Sequence, residues 1–138
     1  MFMQFAAKAH IIDPGAPVFN LVAAKTMYGG EKIGAGDVIF IFASEKEGGQ
    51  GLVARGMVTH AAPVVKRIGV ARQTPRVNVT IERTSVAKRR LGRAELKKFN
   101  DWTDGKPETE LNFKLYRQAT NKIIGITESA ARFLDLSF

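Results

Sequence analysis

Gly34-Ala35-Gly36-Asp37-Val38-Ile39-Phe40-Ile41-Phe42-Ala43-Ser44 is followed, after a short polar segment, by Gly51-Leu52-Val53-Ala54-Arg55-Gly56-Met57-Val58. A glycine-rich turn closed by Asp37 feeds an apolar run too short for a helix, and a Gly-rich loop leads into a second β-prone run. The pattern reads strand, loop, strand. Val38, Phe40 and Phe42 fall on one face of the first strand and Ile39 and Ile41 on the other, so both faces are apolar and the strand is expected to be central. Gly56 marks a candidate bulge in the second strand. The intervening Ser44 to Gly51 has the composition of a mobile polar hairpin loop.

Upstream, Met3 to Ile12 ends at the turn signal Asp13-Pro14-Gly15 and reads as a first strand. From Pro17, residues Val18, Leu21, Val22 and Met27 recur at helical spacing until Tyr28-Gly29-Gly30, which predicts a short helix. Downstream, residues 64–75 lack periodicity and read as a loop. Arg76 to Thr84 then alternates, with Val77, Val79 and Ile81 opposing Asn78, Thr80 and Glu82, the mark of a half-exposed strand.

Arg93 to Asn100 favours one or two helical turns, and Trp102 to Pro107 is a loop. Glu110 to Tyr116 sets Leu111, Phe113 and Leu115 against Asn112, Lys114 and Tyr116, which predicts another strand. Lys122 to Thr127 is a short β-prone run, and Thr127-Glu128-Ser129 opens a C-terminal helix carrying Ala131 and Leu134. The expectation is one β-rich α+β domain over residues 1–138, with five or six strands and two or three short helices.

At 138 residues and 15.1 kDa the chain suits one domain that buries roughly two thirds of its unfolded surface. A 45% hydrophobic and 25% charged composition is that of a folded globular protein. There is no cysteine, and the two histidines, His10 and His60, stand far apart, so no metal site or cofactor is expected. The N-terminal segment is apolar but broken by Gln4, Lys8 and His10. It lacks the form of a signal peptide, no apolar run is long enough to cross a membrane, and a cytoplasmic location is expected.

Charge is the strong deviation. Lys and Arg number 21 against 13 Asp and Glu, leaving a net +8, which favours nucleic acid or another polyanion as partner. The basic segment from Lys66 to Lys98 concentrates that excess. Arg72, Arg76, Arg83, Lys88, Arg89, Arg90 and Arg93 are its candidate phosphate contacts. The alternative is a solvated edge strand whose cations discourage edge-to-edge pairing.

A second group, from Asn112 to Lys122, interleaves aromatic rings, cations and amides. Amides read base edges and rings stack on base faces, which makes Tyr116, Arg117, Gln118 and Asn121 candidates, with Phe113 assigned to the core. Trp102, the only tryptophan, sits in a polar loop, and Tyr28 lies between a predicted helix end and two glycines. Each can wall a base pocket or fold back over the core edge. Neither histidine has a nucleophile or carboxylate at a recognisable spacing, so no catalytic residue is assigned.

The Gly36-Asp37 pair, the strand ending in Phe42 and Ser44, the glycine-containing strand Gly51 to Val58, and the closing strand and small helix from Asn121 to Leu136 together resemble the PUA-like superfamily, most nearly its EVE domains. The resemblance implies a compact mixed-sheet pseudobarrel whose cleft accepts a nucleobase, in some relatives a modified base lifted out of the duplex. It implies that Phe42 and Ser44 border that cleft. The first strand carries no tryptophan, where the EVE family commonly has one. The glycine, lysine, glutamate and arginine motif of the sister ASCH family is not reproduced around Lys25 to Lys32.

The expected function is therefore a noncatalytic module that binds RNA or DNA. A small ASCH-like nuclease with His10 or His60 as base, and a protein-interaction domain meeting an acidic partner, are the alternatives.

Overall fold

The computed structural model describes residues 4–70, 73–118 and 120–138. Six strands close into a barrel in the order β1-β3-β4-β5-β2-β6. They are β1 (Gln4–Ala9), β2 (Val18–Met27), β3 (Val38–Ala43), β4 (Gly51–Pro63), β5 (Arg76–Val86) and β6 (Lys122–Ile126). The pairs β1/β3 and β2/β6 are parallel and the others antiparallel. Three helices lie outside the barrel: α1 (Arg93–Leu96), α2 (Pro107–Tyr116) and α3 (Glu128–Asp135). The expected start of the first strand at Met3 lies outside the described residues.

The two apolar faces of β3 feed two separate cores. Ile39 and Ile41 point into the barrel with Phe5, Phe19, Leu21, Val79 and Ile81. Phe40 and Phe42 point outward to meet Leu96, Leu111, Leu115, Ile124 and Leu134 beneath the helices. A strand walled on both sides must be apolar at successive positions, which is what its sequence shows. The turn that feeds it is built as expected. Gly36 takes the left-handed conformation (φ +94°), and the Asp37 carboxylate accepts the Gly34 N–H at 2.7 Å.

Gly56 does sit at a bulge, where the β4/β5 register slips between Arg55 and Gly56. A Cβ there would stand 2.6 Å from the Ile81 side chain and 2.7 Å from the Glu82 carbonyl oxygen, so the strands close up only over glycine.

Two predicted elements are reversed. The segment from Val18 to Met27 is strand β2, not a helix. A bulge between Leu21 and Ala24 inserts one extra residue opposite Val79 and Val77, and Ala23 adopts φ 51° there with its N–H held by Asn78 at 2.7 Å. Phe19, Leu21 and Ala24 face inward while Val18 and Val22 are exposed, so the helical spacing arose from counting two outward valines together with inward Leu21.

The segment from Glu110 to Tyr116 is helix α2, not a strand. Pro107 occupies its first turn, Glu108 and Glu110 follow, and Lys114 stands near its end, four residues after its partner Glu110, all of which favour helix. Leu111 and Leu115 share the face buried on the barrel. Because one strand was missed and one added, the expected number of strands still agrees.

Candidate nucleic-acid site

The parallel strands β1 and β3 end side by side, pairing Lys8 with Phe42 and Ala9 with Ala43. Ser44 leaves β3 there, 2% exposed, with its N–H donated to the Ala9 carbonyl at 2.8 Å. The next residues form a single turn, Glu45–Glu47. Glu45 is tied down from two sides: it accepts the Tyr116 hydroxyl at 3.1 Å and the backbone N–H of Arg93 at 2.6 Å. The polar loop read as mobile thus forms a wall.

That wall closes a cavity of about 120 Å³ whose lining includes Lys8, Ser44, Arg93, Tyr116, Arg117 and Gln118. The volume is far below the roughly 300–1,000 Å³ of drug-sized pockets, and the lining is rich in donors. A single planar base edge or a phosphate suits it better than a large cofactor.

Lys8 is 5% exposed, with its ammonium 4.7 Å from the centre of the Tyr116 ring. Burial holds its pKa below the ordinary lysine range, with the Glu45 charge opposing. Lys122 is paired with Lys8 across β1 and β6 and is 1% exposed. Its amino group donates to the Gln118 carbonyl. Burial, and then the Lys8 charge, lower its pKa to about 7. Burial and the Glu45 carboxylate push the Tyr116 phenol well above its usual range, so it is a fixed hydrogen-bond donor.

Arg117 joins this cavity to an aromatic group. Its guanidinium lies 4.4 Å from the Phe113 ring centre and 5.4 Å from that of Trp102. Trp102 meets Phe113 edge-on at 5.4 Å, and Tyr28 meets it at 6.1 Å. Trp102 is 46% and Tyr28 43% exposed. Beside them Trp102, Phe113, Lys114 and Thr127 line a groove of about 480 Å³.

The structure therefore divides the base-cleft candidates. Ser44, Tyr116, Arg117 and Gln118 come together at the cavity, and Tyr28 and Trp102 meet around Phe113. Phe42 is fully buried in the outer core, so stacking on a base does not fit it. Asn121 is spent on the backbone, donating to the Val22 carbonyl at 3.1 Å. Phe113 was assigned to the core because its segment was read as a strand; on a helix, two positions from Leu111 and Leu115, it faces away from them. Lys8 and Lys122 carried no local signal.

The phosphate candidates divide too. Arg76 donates to the Ala23 carbonyl at 2.7 Å and Arg83 to the Ala16 carbonyl at 2.9 Å, so both tie β5 to the β2 side. Lys88, Arg89, Arg90 and Arg93 are exposed, with Arg90 at 3.9 Å from Glu95. Arg72 lies outside the described residues. His10 is exposed and pairs with Glu47 at 3.5 Å, while His60 is exposed on β4 opposite Thr80. Among the described residues no group of three His, Cys, Asp or Glu side chains could hold a metal. No helix among them is long and apolar enough to cross a membrane.

No protein-family model matches the sequence, and no curated protein is significantly similar to it. Solved structures are similar in fold. A human THYN1 protein in complex with 5-methylcytosine containing DNA superposes with a TM-score of 0.64 at 15% identity, covering 98% of this chain and 97% of that one. The DUF55 domain of human thymocyte nuclear protein 1 superposes with a TM-score of 0.62 at 14% identity, covering 97% and 98%. The chain has the PUA-like pseudobarrel fold that these structures share.

Proposed function

We propose that this protein is a noncatalytic nucleic-acid-binding module that reads a base, in particular a modified one. The observation that carries the reading is the donor-rich cavity at the ends of β1 and β3, joined through Arg117 to an exposed aromatic group. One solved structure of similar fold, a human THYN1 protein, is in complex with 5-methylcytosine containing DNA, which supports the same class of ligand here. Lys8, Ser44, Gln118 and Arg93 supply hydrogen bonds to a base edge or its phosphate, and Trp102 and Arg117 supply flat surfaces. The exposed cations from Lys88 to Arg93 add electrostatic capture.

If the base is turned out of a duplex, the unstacking cost of a few kcal/mol is least for a damaged or mismatched base, and selectivity follows. A binding screen across RNA, single-stranded DNA and duplex DNA, with and without modified cytosine and adenine, tests the reading. Saturable binding with a preference among bases is expected. Binding to none of them overturns it. Time-dependent cleavage lost in the His10→Ala/His60→Ala double variant replaces it with a nuclease.

A further inference from the structure

The sheet register brings four cations from distant parts of the chain into one row. Lys8 pairs with Lys122 across β1 and β6, Lys122 with Lys25 across β6 and β2, and Lys25 with Arg76 across β2 and β5. Residues in register share a face of the sheet. Lys8 and Lys122 lie on the same faces of their strands as Ala6 and Ile124, which pack under the helices, so the row runs along the outside of the barrel.

The Lys8 end of the row opens into the cavity described above. Its Arg76 end opens into a groove of about 590 Å³ formed with the β4–β5 hairpin, where Lys25 and Arg76 are joined by Lys66 and Arg67. The hairpin is shaped by Gln73, which accepts the Arg67 N–H at 2.9 Å and donates to the Arg67 carbonyl at 2.7 Å. Among the described residues no acidic side chain lines this groove. Among the described residues none of these six cations takes part in an ion pair. Lys25, Lys66, Arg67 and Arg76, gathered around one groove and joined to no carboxylate by an ion pair among the described residues, leave a demand for an external anion.

We propose that the row Lys8–Lys122–Lys25–Arg76, continued by Lys66 and Arg67, is a track for a phosphodiester backbone, running from the base cavity to the β4–β5 hairpin. It rests on the nucleic-acid-binding reading and adds the path that the strand takes. Lys25, Lys66, Arg67 and Arg76 meet phosphates, and Arg76 has donors to spare beyond the one held by Ala23. Sealed Lys122 meets no phosphate itself; it joins Lys8 to Lys25 through the sheet register. Three strand spacings put Lys8 and Arg76 about 14 Å apart, a span of about four phosphates of one B-DNA strand at roughly 3.4 Å each along the axis.

The test measures affinity for a short labelled duplex by fluorescence anisotropy over a series of salt concentrations, for wild type, Lys66→Glu, Lys25→Glu and Arg132→Glu. Lys66 is exposed on the hairpin, so its substitution leaves folding intact. Arg132, exposed on α3, makes the same change in net charge off the track. Lys66→Glu and Lys25→Glu are expected to weaken binding about five- to tenfold and to reduce the slope of log affinity on log salt by about one each. Arg132→Glu leaves the slope unchanged. Wild-type binding with both track variants indistinguishable from Arg132→Glu overturns the track while leaving base recognition standing. Failure of the wild type to bind any nucleic acid overturns both.

Discussion

The inside of the barrel and the shell between barrel and helices are both buried, yet they are made differently. The interior is lined by apolar side chains from Phe5 to Ile81 and Ile123, with Thr26 buried on the same face as Ile123 and its hydroxyl donated to the Pro75 carbonyl. The shell holds a comparable apolar cluster, but Lys8 and Lys122 are sealed beside it and Asn112 is buried on α2. Burying an ammonium opposes folding, only partly offset at Lys8 by the Glu45 charge, so a chain that keeps two buried lysines retains something other than stability. The interior holds the fold together, and the shell holds the candidate site.

Truncation inside the barrel sharpens that contrast most. Ile41→Ala is expected to lower stability by about 2–5 kcal/mol, measured by urea unfolding, because the closed barrel cannot collapse around the lost methylenes. Gly56→Val comes next: the added side chain meets Ile81 and the Glu82 carbonyl, for a loss of about 1–3 kcal/mol by the same measurement. If either variant unfolds like the wild type, the interior does not dominate stability. Trp102→Ala, by contrast, is expected to leave the unfolding midpoint nearly unchanged while weakening nucleic-acid binding about tenfold, or about 1.4 kcal/mol, the loss of one stacking contact.

Lys122→Met gives the smallest change and the opposite sign. Replacing the sealed ammonium with an apolar chain of similar length is expected to raise stability by about 1 kcal/mol at pH 6, as seen in thermal melts. The pH dependence has a defined window. Folding lowers the Lys122 pKa from 10.5 to about 7, so between these values the unfolded chain holds a proton that the folded chain has lost, and unfolding takes one up. Stability therefore rises with pH through that window, while below it the full burial penalty remains. Lys8, also lowered by burial, acts in the same direction. Lys122→Met should flatten the rise; an equally steep rise in the variant would assign it to other groups.

The sequence was legible where periodicity was undisturbed. In β3 both faces are apolar because both are covered, and in β5 the alternation of Val77, Val79 and Ile81 needed only counting. It misled where a local irregularity imitated another period. In β2 the exposed valines Val18 and Val22, counted with buried Leu21, imitated helical spacing although they occupy opposite faces of a strand. In α2, Phe113 between Leu111 and Leu115 imitated a strand, although Pro107, the early glutamates and the Glu110–Lys114 pair pointed to a helix.

The candidate site was legible in part. Tyr116, Arg117 and Gln118, candidates by residue type, and Ser44, a candidate through the family resemblance, do meet at one cavity. Phe42 was placed there from the strand's end, yet the face it occupies is core. Lys8 and Lys122 were unreadable, because a lysine in a strand looks exposed until register shows which face it takes and what covers it. Residues 8, 25, 76 and 122 have no relation along the chain; only the closed order of the strands makes them neighbours.

The central claim, that this shell binds a polyanion, is tested most directly by titrating wild-type protein into a labelled duplex containing 5-methylcytosine at a series of salt concentrations. The account predicts that affinity falls linearly on a plot of log affinity against log salt, as phosphate contacts displace counterions. Equal affinity at low and high salt would contradict it.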